Sequence, residues 1–179
     1  YSNETFYKTT TPKVEWKLVT RDILPNSTNL DYADQTKLLR DTLASQPDLT
    51  PQEQAAIAQA DDATLDRLKT LAKENATWKQ AATELAALAL NRNHRRTFAD
   101  ALFDHASLLQ AQNARLFNGE VLYDWTNDQS SACSIVSVGQ TDADGANVNR
   151  WNPKNRNANI GVSLSRRAEL VRSPRQRGF

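Results

Sequence analysis

The sequence predicts an α+β fold: a mainly α-helical bundle, then a small antiparallel β region, then a basic C-terminal tail. Three observations carry that expectation. Between Tyr32 and Leu116 the apolar residues return at threes and fours, which is helical spacing. After Gly119 the spacing drops to two, as in strands. Charge is also uneven: from Arg150 onward eight Lys or Arg stand against one acid, Glu169, although the whole chain is only +1. The preceding residues must then be net acidic by about six.

Four segments follow: an extended N-terminal arm over 1–30, a helical bundle over 31–118, a β and loop region over 119–167, and a basic tail over 168–179. In the arm, Val14, Trp16 and Leu18 share one face if extended, with Lys13, Glu15 and Lys17 on the other. Such a segment is either an edge strand of its own domain or an arm laid on a partner. Pro25, Asn26 and Ser27 make a turn.

The first helix runs from Tyr32 to Ser45 with Ala33, Leu38, Leu39 and Leu43 near helical spacing, and Pro47 stops it. Thr50-Pro51-Gln52-Glu53 reads as a capping box, with Pro51 in the first turn, opening a short helix that buries Ala55, Ala56 and Ile57. Asp61 or Asp62 starts the next, carried by Leu65, Leu68, Leu71 and Ala72 and resumed at Ala81, Leu85, Leu88 and Leu90. Asn75 to Thr77 bends or breaks it, and Asn91 to His94 ends it with polar residues. Thr97 and Asp100 form a second, weaker capping box before a stripe from Phe98 to Leu116, closed by Gly119 in the left-handed conformation. Alanine at many of these positions lets helix axes approach closely, and short connections make a compact bundle. Strands are then expected at Val121–Trp125, Ser134–Val138 and Ile160–Leu164, with a turn at Asp142–Gly145.

The stretch from Asn147 to Arg167, NVNRWNPKNRNANIGVSLSRR, is the least ordinary. Asn147, Asn149, Asn152, Asn155, Asn157 and Asn159 interleave with Arg150, Trp151, Lys154 and Arg156. Asparagine both donates and accepts hydrogen bonds and tolerates unusual backbone angles. The run is therefore either an ordinary loop or a surface built to hydrogen-bond varied partners. Asn152, Pro153, Asn155, Arg156, Asn157, Asn159, Ile160 and Gly161 follow an Asn-Pro-x-Asn-Arg-Asn-x-Asn-hydrophobic-Gly pattern. In this it resembles the C-terminal end of formylglycine-generating-enzyme-type C-type-lectin domains, particularly retroelement-diversified variable proteins of phages and bacteria. The resemblance spans some twenty residues. It lacks the upstream Arg-Gly-Gly-Ser-Trp segment, near which Val138, Gly139 and Gln140 stand, and the lone Cys133 excludes the enzymes' cysteine pair. It implies a ligand-binding loop rather than catalysis.

Chemistry is sparse elsewhere. His94 and His105 are eleven residues apart, where a helical metal site prefers three or four. They read as a surface histidine and one at a helix interface. Asp142, Asp144 and Gly145 lack the glutamate of a calcium loop. No phosphate loop, dinucleotide turn or nucleophile with its base appears, so no cofactor and no metal are expected. A single cysteine excludes an intrachain disulfide framework, and Cys133 is expected buried and inert. No apolar run is long enough to span a membrane. Apolar residues make up 39%, so the core should be modest. The sequence holds no methionine and begins at Tyr1, from which a processed or trimmed start is expected. Asn3, Asn26 and Asn75 head glycosylation sequons by pattern.

The functional expectation is a non-enzymatic binding or display protein, offering Asn149, Trp151, Asn152, Arg156 and Asn157 to a protein or glycan ligand. The alternative is a structural subunit of a larger assembly such as a virion or filament. Arg166, Arg167, Arg172, Arg175 and Arg177 would then contact other subunits, or nucleic acid. A virion or cell surface suits either role better than the cytoplasm.

Overall fold

A computed structural model describes residues 2–11, 15–119, 122–142 and 145–167. The α+β class holds. Val14, Val121 and Asp144 lie outside the described residues, as does the expected tail with Arg172, Arg175 and Arg177.

The arm is not extended throughout. A short helix α1 (Thr5–Thr9) precedes the strand β1 (Lys17–Val19). That strand pairs antiparallel with β6 (Ser165–Arg167), Leu18 lying opposite Arg166. Of the two readings of this segment, the strand within its own fold is the one observed.

The bundle follows its local signals closely. Helix α2 (Tyr32–Ala44) opens where the Asp31 side chain accepts the Asp34 N–H. Helix α3 (Pro51–Gln59) carries the full Thr50/Glu53 capping box, and α4 (Asp62–Lys73) is capped by Asp61. The break at Asn75–Thr77 separates α4 from α5 (Trp78–Ala87), and α6 (Ala89–His94) follows after Leu88. Helix α7 (Phe98–Gln112) starts at the Thr97/Asp100 box. It stops earlier than expected: Asn113, at φ 48°, takes the left-handed position assigned to Gly119, and Leu116–Gly119 form a separate 3-10 turn. In α3 only Ala56 of the three expected residues is buried; Ala55 is exposed and Ile57 intermediate, because Glu53 turns inward to Arg166.

The sheet is larger than expected and mixed rather than wholly antiparallel. Its order is β4 (Gly145–Trp151), β3 (Ile135–Asp142), β2 (Tyr123–Gln129), β5 (Ile160–Gly161), with β5 parallel to β2. Strand β4 was expected to be loop. Its polar composition hides a period of two, in which Ala146 and Val148 face one way and Asn147, Asn149 and Trp151 the other. The expected strand Ile160–Leu164 is only two residues long before the chain leaves to form β6. Cys133 is not buried in a strand; it sits half-buried, at φ 66°, in the turn joining β2 to β3.

The sheet is the middle layer. Tyr123, Trp125, Ile135 and Ile160 pack on its bundle side with Tyr32, Leu39, Leu43, Leu68 and Leu85. Val136 and Val138 pack on the other side with Phe98, Ala101 and Phe6. The boundary near Asn118 therefore marks a change of secondary structure, while residues from both sides of it share one core. Gly139 is needed where β3 crosses the start of β2, since a Cβ there would lie 2.0 Å from the Leu122 carbonyl oxygen.

Two adjacent arginines join the layers. Arg95, 3% exposed, donates to Asn91 Oδ1 (2.8 Å), to the Trp125 carbonyl (3.2 Å) and to Gln35, Thr36 and the Tyr32 carbonyl. Its guanidinium lies 3.9 Å from the Tyr32 ring centroid, and that ring meets Trp125 edge-on. Arg96, 2% exposed, points to the opposite side, donating to Asp104 Oδ2 (2.9 Å), Asp124 Oδ2 (3.0 Å), Ser163 Oγ (2.8 Å) and the Thr20 carbonyl (3.1 Å). Asp124 also accepts the Ser163 N–H and O–H. Both histidines lie inside. His94 was expected at the surface but is 4% exposed, its Nδ1 at 3.1 Å from the Ser165 carbonyl. His105 packs edge-on to Phe117.

Removing Asp124 takes from buried Arg96 its one fully buried carboxylate and leaves it the partly exposed Asp104. Asp124→Ala should lower unfolding free energy by about 3 kcal/mol in urea titrations, whereas Arg96→Met with Asp124→Leu should recover part of that loss. A second outcome concerns acid. Burial, reinforced by the Arg96 charge, pushes His105 from 6.5 down to about 4. As pH falls the unfolded chain takes up this proton first. The stability from neutral His105 is complete above about pH 6.5 and drains away toward pH 4. The melting temperature of His105→Phe should therefore fall less across that window than that of the parent.

Candidate functional site

The asparagine-dense stretch divides into two parts. Its first part is β4, an edge of the four-stranded sheet. Its second, residues 152–159, is a crossover that carries the chain from one edge of the sheet to the other. The register fixes the span. Trp151 lies opposite Ile135, whereas Ile160 lies level with Tyr123, Gly139 and Asn147. Three strand spacings sideways and four residues back along the strands make about 20 Å. Nine steps of extended chain reach about 30 Å, so there is slack for turns.

Asparagine side chains shape those turns. Asn152 Oδ1 accepts the Lys154 N–H (3.0 Å) while its carbonyl accepts the Asn155 N–H (2.9 Å). Asn157 Oδ1 accepts the Asn159 N–H (3.3 Å). These are bonds from a short side chain to the backbone two residues on, which replace missing ladder partners.

The crossover backbone is also fastened to the body of the protein. The Tyr32 N–H donates to the Pro153 carbonyl (2.9 Å), the Asn29 N–H to the Asn157 carbonyl (2.9 Å) and the Tyr123 N–H to the Asn159 carbonyl (2.8 Å). Buried Gln35 donates to the carbonyls of Ser27 (2.9 Å) and Ile160 (3.0 Å). The glycine ending the pattern has a steric cause: a Cβ on Gly161 would lie 2.6 Å from Ile23 Cδ1 and 2.7 Å from Ser27 Oγ.

Arg156 lies over the start of α2. It donates to Asp34 Oδ2 (2.9 Å) and Asp31 Oδ2 (3.4 Å), and Lys69 closes the group by bonding Asp34. Burial raises the Asp31 carboxyl, opposed by the Asp34 N–H and then by the Lys69 and Arg156 charges. Lys69 is raised by its bond to Asp34. Sequence reading missed Asp31, Asp34 and Lys69 as partners of this stretch; the Asp-x-x-Asp start of α2 was the available signal.

The five expected ligand residues fall in two groups. Asn149 and Trp151 stand side by side on β4, with Asn152 just beyond. Trp151 is half-buried against the main core, and Asn149, opposite Ser137, makes no side-chain hydrogen bond among the described residues. Arg156 and Asn157 lie further along the crossover; the Arg156 side chain keeps 52% of its surface exposed despite its ion pairs. Lys154 is exposed and Asn155 half-exposed between the groups. The stretch is thus fixed by its backbone and open along part of its side-chain surface.

The basic residues behave differently. Arg166 is committed inside the fold: Nε donates to Glu53 Oε1 (2.6 Å) and Nη2 to the Asp48 carbonyl (2.8 Å). Its bond to Glu53 holds that carboxyl down at about 2, against burial. Arg167 is exposed and paired to Glu15 at 3.1 Å. No cluster of His, Cys, Asp and Glu suited to a metal ion occurs among the described residues, and none of the described helices is long and apolar enough to cross a membrane. Set against protein-family models, curated proteins and solved structures, the chain matches none of them.

Proposed function

We propose that this is a non-enzymatic binding or display protein whose contact surface runs from β4 along the crossover, through Asn149, Trp151, Asn152, Arg156 and Asn157. One observation carries the reading: the crossover backbone is hydrogen-bonded at both ends to the body of the fold while Lys154, Arg156 and Asn155 keep exposed side-chain surface. A fixed backbone lowers the ordering cost of binding, and changeable side chains set what is bound. The resemblance to the ends of retroelement-diversified lectin-like domains agrees with this, and a protein or a glycan is the ligand class it suggests. The test is an immobilised glycan array and a protein array probed with the full chain. A ligand found there should lose at least tenfold in affinity in Asn149→Ala/Arg156→Ala, with the melting temperature changed by no more than about 2 °C, since Asn149 makes no side-chain hydrogen bond among the described residues and the Arg156 side chain, half of it exposed, makes only ion pairs. A ligand bound equally by parent and variant would overturn the assignment.

A second reading, a subunit of a larger assembly, is favoured by one feature. Trp16, just before β1, and Leu18, within it, are 75% and 67% exposed, next to the strand that ends the described chain. Under that reading light scattering finds an oligomer of the parent chain, shifted toward monomer by Trp16→Ser/Leu18→Ser. A monomer at all concentrations rejects it.

A further inference from the structure

A cleft of about 290 Å³ opens where the end of α1, β1, the end of α6 and the start of α7 meet. Its charged lining consists of Glu15, Lys17, Arg92, Asp100 and Arg167, with buried Arg95 behind them. The two carboxylates are already engaged. Asp100 accepts Lys17 Nζ at 2.8 Å and the N–H of Thr97, and Glu15 is held by Lys17 (3.1 Å) and by Arg167 Nε (3.1 Å). Lys17 and Arg167 thereby match the two acids, and of the remaining cations, Arg92 and Arg95, only Arg92 faces the cleft with its donors unused among the described residues.

Those two cations differ in kind. Arg95 is buried and meets only neutral oxygens: an asparagine, a glutamine, a threonine and two backbone carbonyls. No carboxylate lies within ion-pair distance of it among the described residues. Its guanidinium is taken up inside the bundle by those oxygens and the Tyr32 ring, with Asp124 also acting on its charge, so it offers the cleft no donor. Arg92 is exposed at the rim and makes no side-chain hydrogen bond or ion pair among the described residues. Beside it the Asn93 amide and the Thr11 hydroxyl are likewise uncommitted among those residues. The cleft therefore combines a planar fork that is free among the described residues with two neutral donors, beside two acids that are already paired.

We propose that this cleft binds a tetrahedral oxyanion, a phosphate or sulfate group, with Arg92 as its bidentate partner and Asn93 and Thr11 completing the donors. A guanidinium fork fits two oxygens of such a group at once. The site lies apart from the asparagine-dense surface, so it stands or falls independently of the binding reading above.

The test is a titration of the full chain with inorganic phosphate, sulfate and glucose 6-phosphate, at constant ionic strength held with sodium chloride and followed by amide chemical shifts. Saturable shifts confined to residues 9–11, 92–93 and 97 are expected. Glucose 6-phosphate saturating at lower concentration than inorganic phosphate identifies an ester-borne group; the reverse identifies the free ion. Arg92→Gln, which removes a side chain with no hydrogen bond or ion pair among the described residues, should weaken binding about tenfold or more, and Arg167→Gln less. Linear shifts with every anion, chloride included, would overturn the proposal. So would saturable binding that is unchanged in Arg92→Gln.

Discussion

The two consecutive buried arginines set the terms for the rest of the molecule. Side chains of neighbouring residues between two helices leave in opposite directions, so Arg95 enters the bundle side of the sheet and Arg96 the α7 side. Each must find partners in place of the water it has lost. Arg95 finds them on α2, α6 and the Trp125 carbonyl; Arg96 finds them on α7, β2 and the segment after β5. Every layer thus contributes an acceptor to one residue or the other, and the six residues between the start of α6 and Arg95 fix where the sheet can sit. Hydrophobic packing supplies most of the driving force for such a fold, but it is tolerant of small slides. Directional bonds to a buried charge are not.

The same geometry places the asparagine-dense stretch. Because β2 is locked through Asp124 and Trp125, its parallel neighbour β5 is the only edge left on that side of the sheet, and the chain leaving β4 must cross the whole sheet to reach it. A crossing of that kind usually employs a helix. Here eight residues do it, and they need tight local turns with few ladder partners. Asparagine supplies both, which gives the unusual composition a structural cause alongside any role in recognition. The two are compatible: a backbone held by its own side chains at Asn152 and Asn157 leaves the side chains of Lys154 and Asn155 between them free to differ.

What the sequence displayed and what it concealed divide along physical lines. The caps at Thr50, Asp61 and Thr97 are legible because every atom involved lies within three residues. The face shared by Tyr123 and Trp125 is legible because alternation is local too. Strand β4 was obscured by composition, since asparagine argues for loop while Val148 and Ala146 alone carry the apolar half of the period. The polar run from Asn91 to Arg96 looked like a solvated helix end. Arg92 is indeed exposed, but Arg95 and Arg96 are interior because Gln35, Asp124 and Ser163, distant in sequence, satisfy them. Of the candidate surface, the crossover's content was readable but its anchors on α2 were not, and the cleft around Arg92 depends wholly on which acids are already taken.

The pairing of β1 with β6 has a consequence for how the chain comes together. Lys17 meets Arg167 and Thr20 meets Leu164, so the outermost ladder joins positions almost 150 residues apart. Such a closure is entropically late and slow, since intervening elements must already be assembled before the two strands are held near one another. During synthesis the early strand would emerge long before its complement exists. Its unpaired backbone edge would then be open to chaperones, or to a neighbouring nascent chain, until translation has passed residue 167.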